Sequence, residues 1–500
     1  MNKFSKLLGF DPVAKKTSVR TEIVAGIVTF LAMAYILTVN PNQILGGTDD
    51  PRWASIFIAT AFGAIVGTLL MAFVAKMPLA QASGMGLNSL VGTIIGGVYG
   101  FAFSIGQAFA MVLISGIVFL ILSVVKIGGK TFRELVFDGM PLSVRSAISV
   151  GIGLFIAYIG FQGAGIIVSN PYTQVAFIDL TTWRGANNAD TWMVAKSALV
   201  AIIGLFIIAI LDKLRVKGAI IIGIIGATLV GIPMGITQLD VIKGTEAGIT
   251  WKFWESFGNF FSGGEDSVFA SFADVFKTGF PAGSIFTVVM LVMTMCMIDM
   301  FDTMGTIVGC CSGNRILSDE NDKPHNYGKI MICDSIATCT GAIFGTSTVT
   351  TFVESGAGVS AGGRTGLTAL TTAIMFALAL FAMPLFAVIP GAATAAALIY
   401  VGVLMMKNNI KNINVSNAIY ATSAFLTIVV MPLAYSITKG IGVGMISFTV
   451  MSAVAFAVES IKYAVTKKKN PEAEKPKWDV SVVAIIVTVL FLVYFFVPTV

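Results

Sequence analysis

Four carboxylates stand inside stretches that are otherwise apolar: Asp299, Asp302, Asp334 and Glu354. A charged side chain at the centre of a bilayer costs roughly 2.5–3.5 kcal/mol on insertion scales, so each acid needs a reason to be there. Asp299 and Asp302 are three apart and can share one helix face. Asp302 lies in Phe301-Asp-Thr-Met-Gly-Thr306, where small and hydroxyl residues leave room beside it. Glu354 follows the β-branched run Thr346 to Val353 and precedes Ser355-Gly-Ala-Gly. That order reads as a short strand running into a half-helix. The start of such a helix would aim free N–H groups and its positive dipole end into the space beside Glu354. The resulting wall of donors and acceptors suits a small planar ring with N–H, carbonyl and ring-nitrogen groups. A second acid can hold a transported proton. Asp299 and Asp334 can equally cap or pair in a structural role.

Asn88 and Gln81, in the facing half of the chain, can complete such a site, although an Asn near a helix start also serves as a cap. Arg364, in Ala361-Gly-Gly-Arg364-Thr-Gly, reads as a topology or gating residue rather than an anion ligand. His325 is the only histidine and falls in a charged loop, which excludes a His-based metal centre or triad. Neither an HExxH motif nor a Ser/His pair is present, so no enzyme, metal or cofactor is expected. The five cysteines, Cys296, Cys310, Cys311, Cys333 and Cys339, read as small packing residues, as does the methionine-rich run Met290 to Met304.

The elements that position these residues are membrane spans. The chain has 500 residues, 56% hydrophobic and 12% charged, with mean hydropathy +0.89. A soluble domain of this length needs more charge on its surface. Apolar runs of about twenty residues recur, the length that crosses a bilayer as a helix. Spans are expected near 21–39, 54–75, 84–98, 101–126, 142–166, 194–212 and 216–237, then near 285–309, 328–344, 355–362, 366–388, 391–406, 415–434 and 438–463. A last apolar run, 479–498, is one too many for an even count. Residues 1–19 hold four lysines but no cleavable signal peptide is expected there. If spans alternate, Lys76, the Lys126–Arg145 loop, Lys213-Arg215-Lys217, Arg315 to Lys329, Lys407, Lys411 and Lys467–Lys469 share a side with the N-terminus. That side should be cytoplasmic, in the cell membrane. The net charge of +6 is therefore a topology signal and not a nucleic-acid footprint.

The organisation expected is a cytoplasmic segment 1–20, a seven-span repeat 21–237, an extracytoplasmic loop 238–284, a second seven-span repeat 285–464, and a basic segment with a hydrophobic run 465–500. An odd number of spans per half inverts the second half, the arrangement of many secondary transporters. The fold class is thus an all-α polytopic membrane protein of about fourteen spans in two inverted repeats. The third segment of each half is short and interrupted: Pro78-Leu-Ala-Gln-Ala-Ser-Gly-Met-Gly-Leu-Asn88, and Gly345 through Glu354 to Val359. Each should carry a short strand, tolerated at membrane depth only if buried or lining a cavity.

These motifs resemble the guanine/hypoxanthine (AzgA-like) permease branch of the nucleobase:cation symporter-2, or xanthine/uracil permease, family. The resemblance rests on Phe301 to Thr306 and Gly345 to Thr368, and extends to Gly26-Ile-Val-Thr-Phe-Leu-Ala-Met-Ala-Tyr-Ile-Leu37, Asn40-Pro41 and Gly84 to Asn88. It implies a core domain (spans 1–4 and 8–11) and a gate domain (spans 5–7 and 12–14), with strands in segments 3 and 10. It implies that Asp302 and Glu354 hold the base, with Ser83, Gly84, Met85, Asn88, Thr306 and Ser355 around it. Proton coupling would fall to Asp302 and Glu354, with Asp299 and Asp334 in support. Uracil-type members carry a histidine where this chain has Thr306, a departure that fits a purine substrate and removes a His relay. The expected activity is import of guanine or hypoxanthine with protons by an elevator mechanism. Adenine stays open, and so do sodium coupling and a homodimer through the gate. The alternative is an anion transporter of the sulfate-permease kind with the same architecture.

Overall fold

The computed structural model describes residues 7–11, 13–46, 50–97, 101, 103–127, 129–131, 135, 140–170, 172–181, 189–216, 218–240, 249–261, 267–311, 316–318, 324–467, 478 and 480–496. Lys217, Arg315, Lys468 and Lys469, used above for orientation, lie outside them.

Each of the fourteen expected segments contains a helix. The first span is α1 (Val19–Met33) and α2 (Ile36–Leu45), broken at Ala34 and Tyr35. Pro41 sits inside α2 and cannot donate to the carbonyl one turn back. Next come α3 (Trp53–Leu70), β1 (Gln81–Ser83), α4 (Met85–Ile95), α5 (Ile105–Val124) and α6 (Leu142–Gly163). A hairpin of β2 (Ile167–Asn170) and β3 (Gln174–Phe177) precedes α7 (Ala189–Lys213) and α8 (Ala219–Gly231). The region read as a polar loop holds α9 (Phe253–Phe261) and α10 (Val268–Thr278). The second half has α11 (Ile285–Cys311), α12 (Tyr327–Phe344), β4 (Val349–Thr351), α13 (Ser355–Ser360), α14 (Gly366–Ala379), α15 (Met383–Ala387), α16 (Gly391–Asn409), α17 (Ala418–Leu433) and α18 (Ile437–Lys467). The terminal run forms α19 (Val482–Phe496). Among the described residues, nine helices are long and apolar enough to cross a membrane, and four shorter ones are apolar.

β1 and β4 pair antiparallel, Gln81 with Thr351, Ala82 with Thr350 and Ser83 with Val349. An inverted repeat requires this: the two matching strands meet head to tail, and each then enters its own short helix. The pairing extends to Gly84 N–H on Thr348 O (2.8 Å) and Phe352 N–H on Ala80 O (3.0 Å). All six strand residues are buried. The neighbouring helices reach them through missing side chains. A Cβ on Gly63 or Gly67 of α3 would stand 2.8 Å from Val349 Cγ2 or Gln81 Oε1, and one on Gly341 of α12 would stand 2.5 Å from Val349 Cγ2. Gly345 ends α12 at φ +93°, and a Cβ there would lie 2.5 Å from Val268 Cγ2. Only glycine meets both demands.

Loops that alternation assigns to one side do meet. Gly366 N–H donates to Leu8 O (3.1 Å), Lys15 Nζ to Ile316 O (3.3 Å) and Asn326 Nδ2 to Ala75 O (3.1 Å). At the other end, Val268 N–H donates to Ser55 Oγ (3.1 Å) and Gln107 Nε2 to Gly279 O (2.6 Å). There Phe257 and Phe260 of α9 pack on Phe62, which stacks on Phe344 at 5.3 Å. The described parts of 238–284 therefore include two helices, α9 packed on Phe62 and α10 bonded to Ser55, rather than open polar loop alone.

The chain forms two compact units, Met1–Ser123 with Ile156–Val403, and Val124–Phe155 with Leu404–Val500. In the second, α17 and α18 cross at glycines: a Cβ on Gly440 would lie 2.2 Å from Met431 Cγ. The helix α19 packs on Gly442 through Phe491, and Thr488 bonds Thr449 at 2.7 Å. All the residues discussed below belong to the first unit.

Candidate substrate site

Glu354 stands between β4 and α13 and is 3% exposed. Its Oε1 accepts a hydrogen bond from the Tyr35 hydroxyl. Its Oε2 is buried without a partner among the described residues. Tyr35 is there because the first span breaks at that residue, and its hydroxyl also lies 3.5 Å from Met85 Sδ. One aromatic side chain thus joins the start of α4 to the end of β4. Burying a carboxylate oxygen unpaired is costly, so Oε2 marks a place where a ligand donor belongs.

Further unpaired groups flank the two paired strands. Asn88 is fully buried; its Oδ1 accepts from the Ser347 hydroxyl, while its Nδ2 has no partner. The adjacent Thr348 Oγ1 is also buried and has no partner among the described residues, and a Cβ on Gly84 would stand 3.5 Å from it. Among the described residues, no partner is found for the N–H groups of Met85 and Gly86, the first two of α4. Asp302 is half-buried, within electrostatic range of Asp334 and Glu354, and makes no hydrogen bond among the described residues. Thr306 is buried on α11, about one turn beyond it. The site thus offers an acceptor on Glu354, donors on Asn88 and α4, a two-way hydroxyl on Thr348 and a second acid.

The other expected residues hold this frame. Asp334 Oδ1 accepts from Gln81 Nε2 (2.9 Å) and Thr351 Oγ1 (3.4 Å), and its Oδ2 from Thr303 Oγ1 (2.6 Å). It ties both strands to α11. Asp299 Oδ2 accepts from Thr338 Oγ1 at 3.0 Å. Ser355 Oγ accepts from Ala80 N–H at 3.0 Å, clipping one broken segment to the other. The Ser83 hydroxyl is 2.5 Å from Thr346 Oγ1, and Asn40 Nδ2 reaches both. Arg364 Nη1 donates to Val359 O (2.6 Å) and Gly363 O (2.7 Å), closing the C-terminal end of α13. Its own N–H is held by the buried Glu22.

One expectation is narrowed. The N–H groups of Ser355, Gly356 and Ala357 bond to the carbonyls of Phe352, Val353 and Glu354. The amides of Ser355, Gly356 and Ala357 are therefore not free for a ligand, because a tight turn consumes them. Free amides do stand at the start of α4, whose Gly84 lead-in is extended. Sequence reasoning also passed over Tyr35, Asn40 and Thr348 as site residues. Tyr35 and Asn40 lay in the quoted first-span motif, where a hydroxyl and an amide in an apolar run were the available signal.

The fold and the sequence have known counterparts. The transmembrane domain of a cyanobacterium bicarbonate transporter, BicA, superposes with TM-score 0.57 at 16% identity, covering 85% of this chain and 97% of that one. This likeness is one of fold alone: a helical core-and-gate transporter architecture. Adenine permease AdeP of Escherichia coli (strain K12) is 35% identical over 437 residues, 87% of each chain. Guanine/hypoxanthine permease PbuO of Bacillus subtilis (strain 168) is 36% identical over 441 residues, 88% of this chain and 93% of its own. Both are named as permeases, which move solutes rather than transform them. The model of the Permease family Xan_ur_permease matches residues 20–443. With that match over most of its length, the chain belongs to this family of nucleobase permeases, as a multi-pass membrane transporter.

Proposed function

We propose that this protein imports purine bases, guanine or hypoxanthine with adenine as a competitor, together with protons across the cell membrane. The observation that carries this reading is Glu354: a buried carboxylate with one oxygen fixed by Tyr35 and the other unpaired. A lactam-bearing purine donates its ring N–H to Oε2, and guanine adds its amino group. The base's carbonyl and ring nitrogens take the donors of Asn88, Thr348 and the start of α4. Relatives named as adenine and guanine/hypoxanthine permeases support a purine.

Glu354 and Asp302 carry the proton in this reading, since Asp334 already has three donors. Asp299 stands behind them on Thr338. The likeness to a core-and-gate fold supports an elevator in which the site moves with the core. Loop charge supports a cytoplasmic N-terminus, and a homodimer through the gate fits the same architecture. An anion transporter shares the fold, but an anion here would face Glu354 and Asp302, and among the described residues no cation bonds to either.

The test is uptake of labelled hypoxanthine in a strain lacking its own base transporters, with unlabelled bases as competitors. Glu354→Gln should abolish high-affinity uptake while reaching the membrane at normal level. Normal uptake by that variant would overturn the site, and competition by sulfate or bicarbonate in place of purines would favour the anion reading.

A further inference from the structure

A second feature has the makings of a ligand site. A cavity of about 410 Å³ opens along the last turns of α2, bounded by α6, α7, the segment after α8 and the start of α16. It is lined by Gln43, Asn42, Ser197, Gln238 and Thr394 among apolar residues, and among the described residues no lining side chain is charged. The size falls in the range of small-molecule pockets. Gln43 follows Tyr35 by eight residues, roughly 12 Å along a helix, so the cavity is displaced from the Glu354 site along the first span.

Gln43 is the unusual member. Both its Nε2 and its Oε1 are buried and lack a partner among the described residues. A buried primary amide with neither group paired is costly. Its backbone cannot drift to relieve this: a Cβ on Gly92 of α4 would stand 2.6 Å from Gln43 O, so the two helices are in close contact at that point. Asn42, next to it, is already engaged, its Oδ1 accepting from Trp53 Nε1 at 2.7 Å.

We propose that this cavity is a second recognition site for a neutral heterocyclic base, read by the Gln43 amide. A primary amide presents one donor and one acceptor side by side. That pair complements a lactam edge, as in hypoxanthine and guanine, or an amidine edge, as in adenine. The absence of charge in the lining selects neutral planar molecules over anions. In the orientation proposed above, α2 ends on the extracytoplasmic side, so the cavity holds an incoming base before it reaches Glu354. The proposal rests on the purine-transport reading for the identity of its ligand.

The experiment pairs uptake in cells with equilibrium binding of labelled hypoxanthine to the purified full chain in lipid nanodiscs. Gln43→Met, close in size but without the amide, should raise the apparent KM about tenfold, the loss of one bidentate pair. Glu354→Gln protein should retain weak binding, and adding Gln43→Met should remove it. Gln43→Glu keeps the volume but only accepts, so guanine, with two adjacent donors, should compete better against it than hypoxanthine or adenine. That shift reads out the site even if the methionine variant folds poorly. Wild-type KM and selectivity in the Gln43 variants, or binding by Glu354→Gln protein that is indifferent to Gln43, would overturn the cavity assignment alone. No uptake of any base by the wild type would overturn the purine reading and this proposal together.

Discussion

The Tyr35 hydroxyl donates to Glu354 Oε1 across 319 residues of sequence. It comes from a break in the first span and fixes one carboxylate oxygen, so the other keeps a constant direction. A hydrogen bond to an ionised group contributes about 1.5–3 kcal/mol. Tyr35→Phe, which keeps the ring and its packing, should therefore raise the apparent KM for hypoxanthine by roughly tenfold or more. Membrane level should not change. Uptake kinetics indistinguishable from wild type would show that Tyr35 does not position the acid.

Asp334 and Asp302 should separate by what their loss does. Three donors converge on Asp334, so Asp334→Asn places an amide N–H₂ against them. The cost should be about 2–4 kcal/mol of stability, visible as a lower unfolding temperature in detergent and reduced protein level. Asp302 makes no hydrogen bond among the described residues, so Asp302→Asn should unfold at the wild-type temperature yet lose uptake. The reverse pattern would exchange their roles.

Gly345 combines φ +93° with contact against Val268. Gly345→Ala should destabilise by about 2 kcal/mol from the backbone conformation alone, with a further loss from the clash. Adding Val268→Ala should restore only the second part. Full recovery in the double variant, measured by thermal unfolding, would mean that the left-handed backbone carries no cost.

Proton coupling predicts that a protonophore lowers hypoxanthine accumulation several-fold, and that replacing sodium with potassium does not. Accumulation that stops on sodium removal alone would reassign the coupling ion.

Much of this is legible in the sequence. The strand at residues 81–83 and the one at 349–351 were expected from polar, β-branched sequence interrupting apolar runs. Glu354, Asp302 and Asn88 stood out because charge and amide groups are expensive in a membrane. The helices α9 and α10 were hidden, because their phenylalanines are mixed with charge in a region that the span-length criterion does not recognise. Asp334 and Ser355 looked like site residues for the same reason that Glu354 did: a polar group in an apolar run advertises cost, but not its partner.

Sequence by itself determined that the chain crosses a membrane many times, that its halves are matched and inverted, and that the acids cluster in the second half. Those follow from hydropathy and order along the chain. Tertiary structure alone decided which polar groups are paired and which are left for a ligand. Asp334 receives three donors from residues 81, 303 and 351, while Glu354 receives one from residue 35. Hydrogen bonds between residues hundreds of positions apart depend on ångström-scale approach. Here glycines at 63, 67 and 341 set that approach by letting helices close onto two three-residue strands.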